Sequence, residues 1–345
     1  MPSAITPDET AHIMDWLLEP DPDNPGVRYF VLRDLVGLPE DDRAVRKARA
    51  GLMRGGPIPA ILEAQSPDGT WVKPGSGYSP KYRGTVWQIL LLAELGADPV
   101  DLRVRRGCEA LLHGAVASTG GFSPYANAVS SGVLHCLNGN MVYALQKLGF
   151  GGDPRIRRAL DWQVGAILGE AEVKFFKSGT SGPGFACGIN LGQPCGWGAA
   201  KAMNALLEVP PRSRTRRMKR ALQVGADFLL SRDPSEADYP YTERVSSTWF
   251  KLGFPLSYWS DVLEISWILV RLGYARDPRL RPALDRIHEK RDSEGRWRLG
   301  NSLNGKMWVD IERRGKPSKW VTLRAMRVLK AARLVGGLLA RPQKS

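Results

Sequence analysis

Three cysteines and one histidine in the middle of the chain have the types and positions that metal chemistry needs. Cys136 lies just before one predicted helix with His135 beside it, and Cys187 and Cys195 lie in the loop before the next. Three thiolates with a histidine or a carboxylate suit tetrahedral zinc, and a water as fourth ligand would leave the metal open for catalysis. The sequence therefore predicts a zinc or reactive-thiol site. The alternative is that these cysteines are small buried side chains at helix starts.

A basic loop before the last predicted helix is a candidate anion site. It contains Arg313, Lys316 and Lys319. A helix N-terminus carries unpaired N–H groups and partial positive charge, so it favours a phosphate even before basic side chains are added. We expect a diphosphate or a lipid phosphate here, and the alternative is a solvated basic loop.

Polar and aromatic side chains near the starts of other predicted helices form a third set. Asp261 or Glu264 is a candidate acid or base, although Glu264 and Arg324 could instead form a structural ion pair. Tryptophan faces attract carbocations and quaternary ammonium groups, and they also pack ordinary helical cores. The residues expected to contact substrate are Trp87, Asn140, Trp197, Trp320 and Arg324.

The elements that must position these residues are helical hairpins. Two helices joined by a Gly-aromatic loop recur along the chain at a spacing of several tens of residues, which is typical of a helical repeat array. Apolar inner helices alternate with amphipathic outer ones, so we expect an all-α (α/α)6 toroid, or barrel of helical hairpins, as a single domain over residues 1–345 with a flexible tail from about 336. The six inner helices are predicted to begin near Pro25, Arg83, Asn138, Gly196, Ser260 and Ser318.

The lengths of the connections predict which rim carries the function. Connections from inner to outer helices are short, as at residues 96–98, whereas those from outer to inner helices are long, as at residues 232–258. Loops longer than about 12 residues in a compact domain are usually functional or disordered. We therefore expect the site on the rim of long loops, where the inner-helix N-termini also lie.

The Gly-aromatic loops carry a family resemblance. The segment from Gln65 to Trp71 reads Gln-Ser-Pro-Asp-Gly-Thr-Trp, and 118–122 and 290–297 are related to it. This pattern resembles the repeat of squalene and terpene cyclases and of protein prenyltransferase β subunits, and the chain is also similar to short bacterial toroids with such repeats. The resemblance implies a prenyl chain bound in an aromatic-lined central cavity. The chain contains no Asp-x-Asp-Asp, Asp-x-Cys or Cys-His-Gly string, the motifs of three enzyme groups with this fold.

Composition limits the class of protein. With 43% hydrophobic and 24% charged residues, the chain is typical of a globular protein, and four cysteines are too few for a disulfide scaffold of this size. The N-terminus lacks the pattern of a signal peptide, so we expect a cytoplasmic protein. The net charge of +14 favours anionic partners and allows peripheral membrane contact, but no motif indicates specific nucleic-acid binding.

These observations predict an isoprenoid cyclase or transferase that acts on an apolar or isoprenoid molecule, with or without a diphosphate. Two alternatives remain open at this point. One is a non-catalytic toroid that binds a lipid or peptide, and the other is a thiolate-zinc enzyme unrelated to terpenes.

Overall fold

A computed structural model describes residues 4–125, 127–170, 182–239 and 246–337. Within these ranges the chain is helical, with isolated bridges instead of strands. The helices are α1 (Pro7–Leu18), α2 (Pro25–Phe30), α3 (Arg43–Leu52), α4 (Pro57–Glu63), α5 (Thr85–Leu95), α6 (Leu102–Gly114), α7 (His135–Leu145), α8 (Pro154–Leu168), α9 (Gly196–Leu207), α10 (Arg216–Leu230), α11 (Val262–Arg271), α12 (Arg281–Glu289) and α13 (Lys319–Ala331).

Six hairpins account for these helices, with α3 as an additional outer helix. The inner members are α2, α5, α7, α9, α11 and α13, and five of these begin within two residues of the predicted positions. The exception is α7, which begins at His135, so that His135 and Cys136 lie in its first turn rather than before it. The outer members are α1, α4, α6, α8, α10 and α12.

The inner helices form a closed ring. Successive neighbours from α5 to α13 pack against one another, and α13 packs against α2. The approach of α7 to α9 is very close, because a Cβ on Gly139 would lie 2.4 Å from the carbonyl carbon of Lys201. Gly96, at the end of α5, lies against Phe30 of α2 and completes the circle. The predicted (α/α)6 toroid is therefore confirmed.

The two ends of the described chain meet beside α1. The backbone N–H of Ile5 donates to the carbonyl of Leu334 at 2.9 Å, and that of Gly336 donates to Ile5 at 2.8 Å. These bonds tie the first hairpin to the last one. The tail that was expected to be flexible falls mainly on residues 338–345, outside the described residues.

Burial explains why the two sets of helices differ in sequence. The helix α5 is buried on nearly every side, so its residues are apolar around the whole circumference, whereas α10 buries one stripe and presents basic residues to solvent. None of the described helices is long and apolar enough to cross a membrane.

Candidate functional site

A cavity of about 550 Å³ occupies the centre of the ring. It is lined mainly by the C-terminal halves of the inner helices, including Leu90 on α5 and Trp267 on α11. Leu256 from the long loop before α11 lies at its inner end, and the partly exposed side chains of Glu40 and Arg49 lie at its mouth. The cavity therefore opens at the rim of short connections.

This position corrects the prediction that the site lies on the rim of long loops. There the loop at 64–84 and the segment at 246–261 fold inward and close the ring with aromatic side chains. We call this set the aromatic layer, and its rings lie with centroids 5.0–6.5 Å apart. Its members are Tyr78, Tyr82, Trp87, Trp197, Trp249, Tyr258 and Trp259.

The three tryptophans expected to bind substrate lie in packed positions that do not line the cavity. Trp87 donates its indole N–H to the carbonyl of Tyr78 at 2.8 Å, and Trp197 packs within the aromatic layer. Trp320 stacks on Phe254 with centroids 4.2 Å apart and donates to Asn24 at 2.9 Å. Their contacts indicate a structural role for all three.

A buried ion pair joins two inner helices beside the cavity. The Lys201 ammonium on α9 lies 2.8 and 2.7 Å from the two carboxylate oxygens of Glu264 on α11, and Asn204 donates to the same carboxylate at 2.7 Å. The side chains of Lys201 and Glu264 are only 3% and 8% exposed. All three residues line the cavity. Glu264 therefore pairs with Lys201 and not with Arg324, the partner considered from the sequence.

We expect Lys201→Met to lower the free energy of unfolding by about 3–5 kcal/mol, the usual cost of leaving a buried charge without its partner. Chemical denaturation measures the loss, and Lys219→Met on the exposed face of α10 is the control. The double variant Lys201→Met/Glu264→Leu should recover much of the loss, since it leaves no unpaired charge. An unchanged unfolding free energy in Lys201→Met would contradict the pairing.

Asp261, expected to be an acid or base, lies beneath the cavity with its side chain fully buried. It caps α11 by accepting the N–H of Glu264 at 2.9 Å, and it accepts the N–H of Gly253 at 3.1 Å. Arg324 binds both of its oxygens at 2.9 Å. Both carboxylate oxygens of Asp261 are hydrogen-bonded, and Asp261 does not line the cavity. Its contacts indicate that it holds the side chain of Arg324, which does line the cavity, in position.

Glu94 on α5 is the cavity residue that sequence reasoning missed as a catalytic candidate. Its carboxyl lines the cavity and, among the described residues, makes no hydrogen bond or ion pair. Burial raises its pKa above the ordinary 4.5; the nearby cations Lys201, Arg324 and Arg327 act in the opposite direction, and Glu264 adds to the rise. The signal in the sequence was a single acidic residue interrupting the apolar run of an inner helix.

Next to Glu94 lies a phenol. Tyr143 on α7 lines the same cavity, and its pKa is raised well above 10.0 by burial and by the negative charges of Glu94 and Glu208. Asn140, one turn earlier, also lines the cavity as expected, and it donates to the carbonyl of Ser257 at 2.9 Å. The carboxyl and the phenol therefore both favour their neutral, proton-carrying forms.

Near the mouth, two carboxylates each hold two basic side chains. Asp34 pairs with Arg33 at 2.6 Å and also with Arg327. On the opposite side, Glu208 pairs with Lys147 at 2.6 Å and with Arg271 at 3.0 Å. The cluster around Glu208 has one more positive than negative charge, whereas around Asp34 the carboxylate of Glu40, 3.6 Å from Arg33, balances the second arginine. All of these residues line the cavity.

The same basic groups cover the aromatic rings of the cavity. The Arg33 guanidinium lies 4.8 Å from the centroid of Phe30, and that of Arg271 lies 5.5 Å from the centroid of Trp267. Likewise, the Lys147 ammonium lies 5.7 Å from the Tyr143 ring. These ring faces already interact with cations, which reduces their availability to a carbocation.

The basic loop expected to bind an anion lies on the rim of long loops, away from the cavity. Arg313 and Lys316 are exposed to solvent. Lys319 is buried and directed to the acidic turn before α2, where its ammonium lies 3.6 Å from Asp21 and 5.6 Å from the centroid of Trp16. Neither the loop nor Lys319 contributes to the cavity lining.

The predicted thiol cluster is partly assembled. Cys187 and Cys195 are hydrogen-bonded through their side chains, and Cys136 interacts electrostatically with both. All four cysteines are free thiols. Burial raises the pKa of Cys136 to about 12, whereas the hydrogen bonds to its sulfur lower the pKa of Cys187 to about 6.

His135 does not complete a metal site with these cysteines. Its Nε2 donates to the carbonyl of Gly182 at 3.0 Å, and its Nδ1 lies 2.6 Å from the amide nitrogen of Gln163. Burial lowers its pKa to about 4, so the ring is neutral and both nitrogens are engaged. Among the described residues, no group of three or more His, Cys, Asp or Glu side chains is arranged to hold a metal ion, and the zinc prediction does not fit this arrangement.

Comparisons with known proteins extend over nearly the whole chain but at low identity. Type II terpene cyclase MstE from Scytonema (apo) is 14% identical to this chain, and the match covers 95% of this chain and 99% of the cyclase, with a TM-score of 0.48. A protein from Actinoplanes is 16% identical, and the match covers 94% of this chain and 99% of that protein, with a TM-score of 0.45. A glycosyl hydrolase family 88 protein from Bacteroides vulgatus is 11% identical, and the match covers 95% of this chain and 99% of the hydrolase, with a TM-score of 0.50.

No protein-family model matches the chain, and no curated protein matches it. At such identities a structural likeness concerns the fold and not the activity. The chain is an all-α toroid of six helical hairpins, in agreement with the resemblance noted in its Gly-aromatic loops.

Proposed function

We propose that the protein is an enzyme that binds a small molecule with an anionic group in its central cavity and transfers a proton with Glu94. The observation that carries the proposal is the unpaired carboxyl of Glu94, whose pKa is raised by burial. Buried carboxyls that line a cavity and favour the protonated form are typical general acids. The Tyr143 phenol is the candidate second proton carrier.

The mouth supports the anionic part of the proposal. On the side of Glu208, Lys147 and Arg271 leave one surplus positive charge. On the opposite side, Arg327 also lines the cavity. A carboxylate or phosphate on the substrate would pair with these basic side chains and neutralise the surplus charge.

An isoprenoid substrate is the second candidate. It is favoured by the same carboxyl, whose raised pKa makes it a candidate acid, because acid-initiated cyclisation requires a group that can donate a proton to an alkene. An isoprenoid diphosphate would also supply the anionic group. The charged lining and the cation-covered rings favour a polar molecule over a purely hydrocarbon one.

Calorimetric titration with inorganic pyrophosphate, farnesyl diphosphate and neutral farnesol separates these candidates. We expect both anions to bind and Arg327→Gln to weaken them about tenfold or more, since a hydrogen bond to a charged group contributes about 1.5–3 kcal/mol. Arg220→Gln, on the exposed face of α10, is the control and should bind like the wild type. Binding of farnesol as tight as that of the diphosphate would contradict the anionic part of the proposal.

A further inference from the structure

Two cysteines outside the cavity are brought together by a tight hairpin over residues 185–195. The N–H of Cys187 donates to the carbonyl of Gln193 at 3.1 Å, and that of Cys195 donates to the carbonyl of Phe185 at 2.9 Å. Ala186 and Pro194 form the antiparallel bridge between these pairs. Because side chains alternate along each arm, Cys187 and Cys195 project from the same face as diagonal neighbours.

The side chains of the two cysteines interact directly. The side chains of Cys187 and Cys195 are hydrogen-bonded to each other, and neither sulfur is engaged in a disulfide. Forming an S–S bond therefore requires a short approach of two groups that share one face of a hairpin. The tip of this hairpin leaves room for such an adjustment, since Ile189 and Leu191 are 69% and 75% exposed.

Cys187 is the thiol of this pair that favours the thiolate. Its sulfur accepts hydrogen bonds from the Cys195 thiol and from the backbone N–H groups of Asn190 and Ile189, and its pKa is lowered to about 6. Cys195 donates in this pair, which together with burial raises its pKa well above 9.0, although its sulfur also accepts the N–H of Gly198 at 3.3 Å. The attacking species in thiol–disulfide exchange is the thiolate, so the hairpin places a stabilised nucleophile beside its resolving partner.

We propose that Cys187 and Cys195 form a redox-active dithiol that low-molecular-weight disulfides, such as oxidised glutathione, convert to an intramolecular disulfide. In the first step the Cys187 thiolate attacks one sulfur of oxidised glutathione and displaces one glutathione thiolate. In the second step Cys195, after losing its proton to water, attacks the Cys187 sulfur of the mixed disulfide and displaces the second glutathione thiolate. Two protein thiols are oxidised, and one glutathione disulfide is reduced to two thiols.

The other two cysteines are placed differently. Cys108 on the outer helix α6 is fully buried in the hydrophobic core, and burial raises its pKa to about 12. Cys136 belongs to α7 and influences the pair electrostatically without a hydrogen bond to either sulfur among the described contacts. The proposal is therefore specific for the pair of Cys187 and Cys195 among the possible pairs of cysteines.

Oxidation would act on the start of α9. In a disulfide the Cys195 sulfur is drawn toward Cys187, which changes its contact with the N–H of Gly198. The same helix carries Lys201 and Asn204, which hold Glu264 beside the cavity. The inference concerns a separate pair of residues and stands whether or not Glu94 is a catalytic acid.

The test is equilibration of the folded, reduced wild-type protein with mixtures of oxidised and reduced glutathione, followed by alkylation of the remaining thiols and peptide mapping. We expect two of the four thiols to be lost and to return with dithiothreitol. Cleavage after Leu191 separates the partners, so the disulfide should appear as two linked peptides that contain Cys187 and Cys195.

Two variants make the result specific. Cys108→Ser should still lose two thiols, whereas Cys187→Ser should lose none to an intramolecular disulfide. Retention of all four thiols in the wild type, or a disulfide that includes Cys136, would overturn the proposal. Peptide mapping of the wild-type protein alone shows whether Cys187 and Cys195 form the disulfide. A folding defect in Cys187→Ser therefore does not affect the conclusion.

Discussion

Glu94→Gln is expected to lower turnover by about 100-fold or more while the fold is retained, because general acid–base groups contribute about 10²–10⁴-fold to rate. Glutamine has nearly the shape of glutamate and no proton to donate at this position. The carboxyl makes no hydrogen bond or ion pair among the described residues, so its replacement removes no structural contact. Activity on any substrate identified by the binding screen is the measurement.

The same variant should be more stable than the wild type at neutral pH. The pKa of Glu94 is raised in the folded protein, so the native state holds this proton more tightly than the unfolded chain. Its favourable contribution is fully present below pH 4.5, the unfolded value, and is lost as pH rises through the folded pKa. Glutamine does not titrate, and we expect a gain on the order of 1 kcal/mol, typical when a functional group is removed from a site.

Thermal unfolding of both proteins at neutral pH and near pH 4 measures this difference, which should shrink at the lower pH. Glu109→Gln, at an exposed position of α6, is the matched control and should change neither turnover nor the pH dependence of unfolding. Full activity in Glu94→Gln would remove the residue from the mechanism. A loss of stability at neutral pH would show that the carboxyl has a stabilising partner.

Asp261→Asn is expected to lower the free energy of unfolding by about 3–5 kcal/mol, because it leaves the Arg324 guanidinium buried without its counter-charge. Asp261 is fully buried, and Arg324 contacts both of its oxygens. The sequence alone suggests a different result, a loss of turnover in a protein of normal stability. Urea denaturation distinguishes the two outcomes.

The control for this change is Asp238→Asn. Asp238 forms an exposed pair with Arg232 at 3.7 Å, and such pairs contribute about 0–1 kcal/mol. Normal stability in Asp261→Asn, together with loss of turnover, would contradict the structural role and indicate that Asp261 is an acid or base. Restoration of stability by the double variant Asp261→Asn/Arg324→Met would support the ion-pair explanation, since that variant buries no unpaired charge.

The fold could be predicted from sequence because the toroid repeats its signals. Apolar inner helices alternate with amphipathic outer ones, and the Gly-aromatic loop recurs with the same internal bonds. Trp71 and Trp297 each donate the indole N–H to a carbonyl ten residues earlier at 2.7 Å. The start of α7 was misplaced because Leu134, His135 and Cys136 carry no capping signal, and no side chain caps that helix.

The site was harder to predict because loop length does not reveal where a loop folds. The loop at 64–84 and the segment at 246–261 carry aromatic residues that pack across the ring and close it. The N-terminal ends of the inner helices are therefore tightly packed. The cavity is lined instead by polar residues one or two turns further along these helices. Lys201, Glu264 and Arg324 were correctly placed on inner helices, but which of them would pair depends on helix rotation.

Glu94 illustrates the limit most clearly. A lone glutamate in an apolar helix is compatible with a buried ion pair, an exposed edge or a cavity, and its sequence neighbours are the same in each case. Only the arrangement of six helices shows that none of the described residues forms a hydrogen bond or ion pair with Glu94, while four charged groups lie close enough to affect its pKa. The assignment thus required the assembled ring.

Carbon-detected NMR titration of the side-chain carboxyls, with Glu94→Gln used to assign the signal, tests the central claim most directly. We predict that the Glu94 signal titrates with a midpoint above 4.5, the ordinary glutamate value, and that it responds to added pyrophosphate. A midpoint at or below 4.5 would mean that Glu94 is an ordinary solvated carboxylate. It would then lack the proton that the proposed function requires.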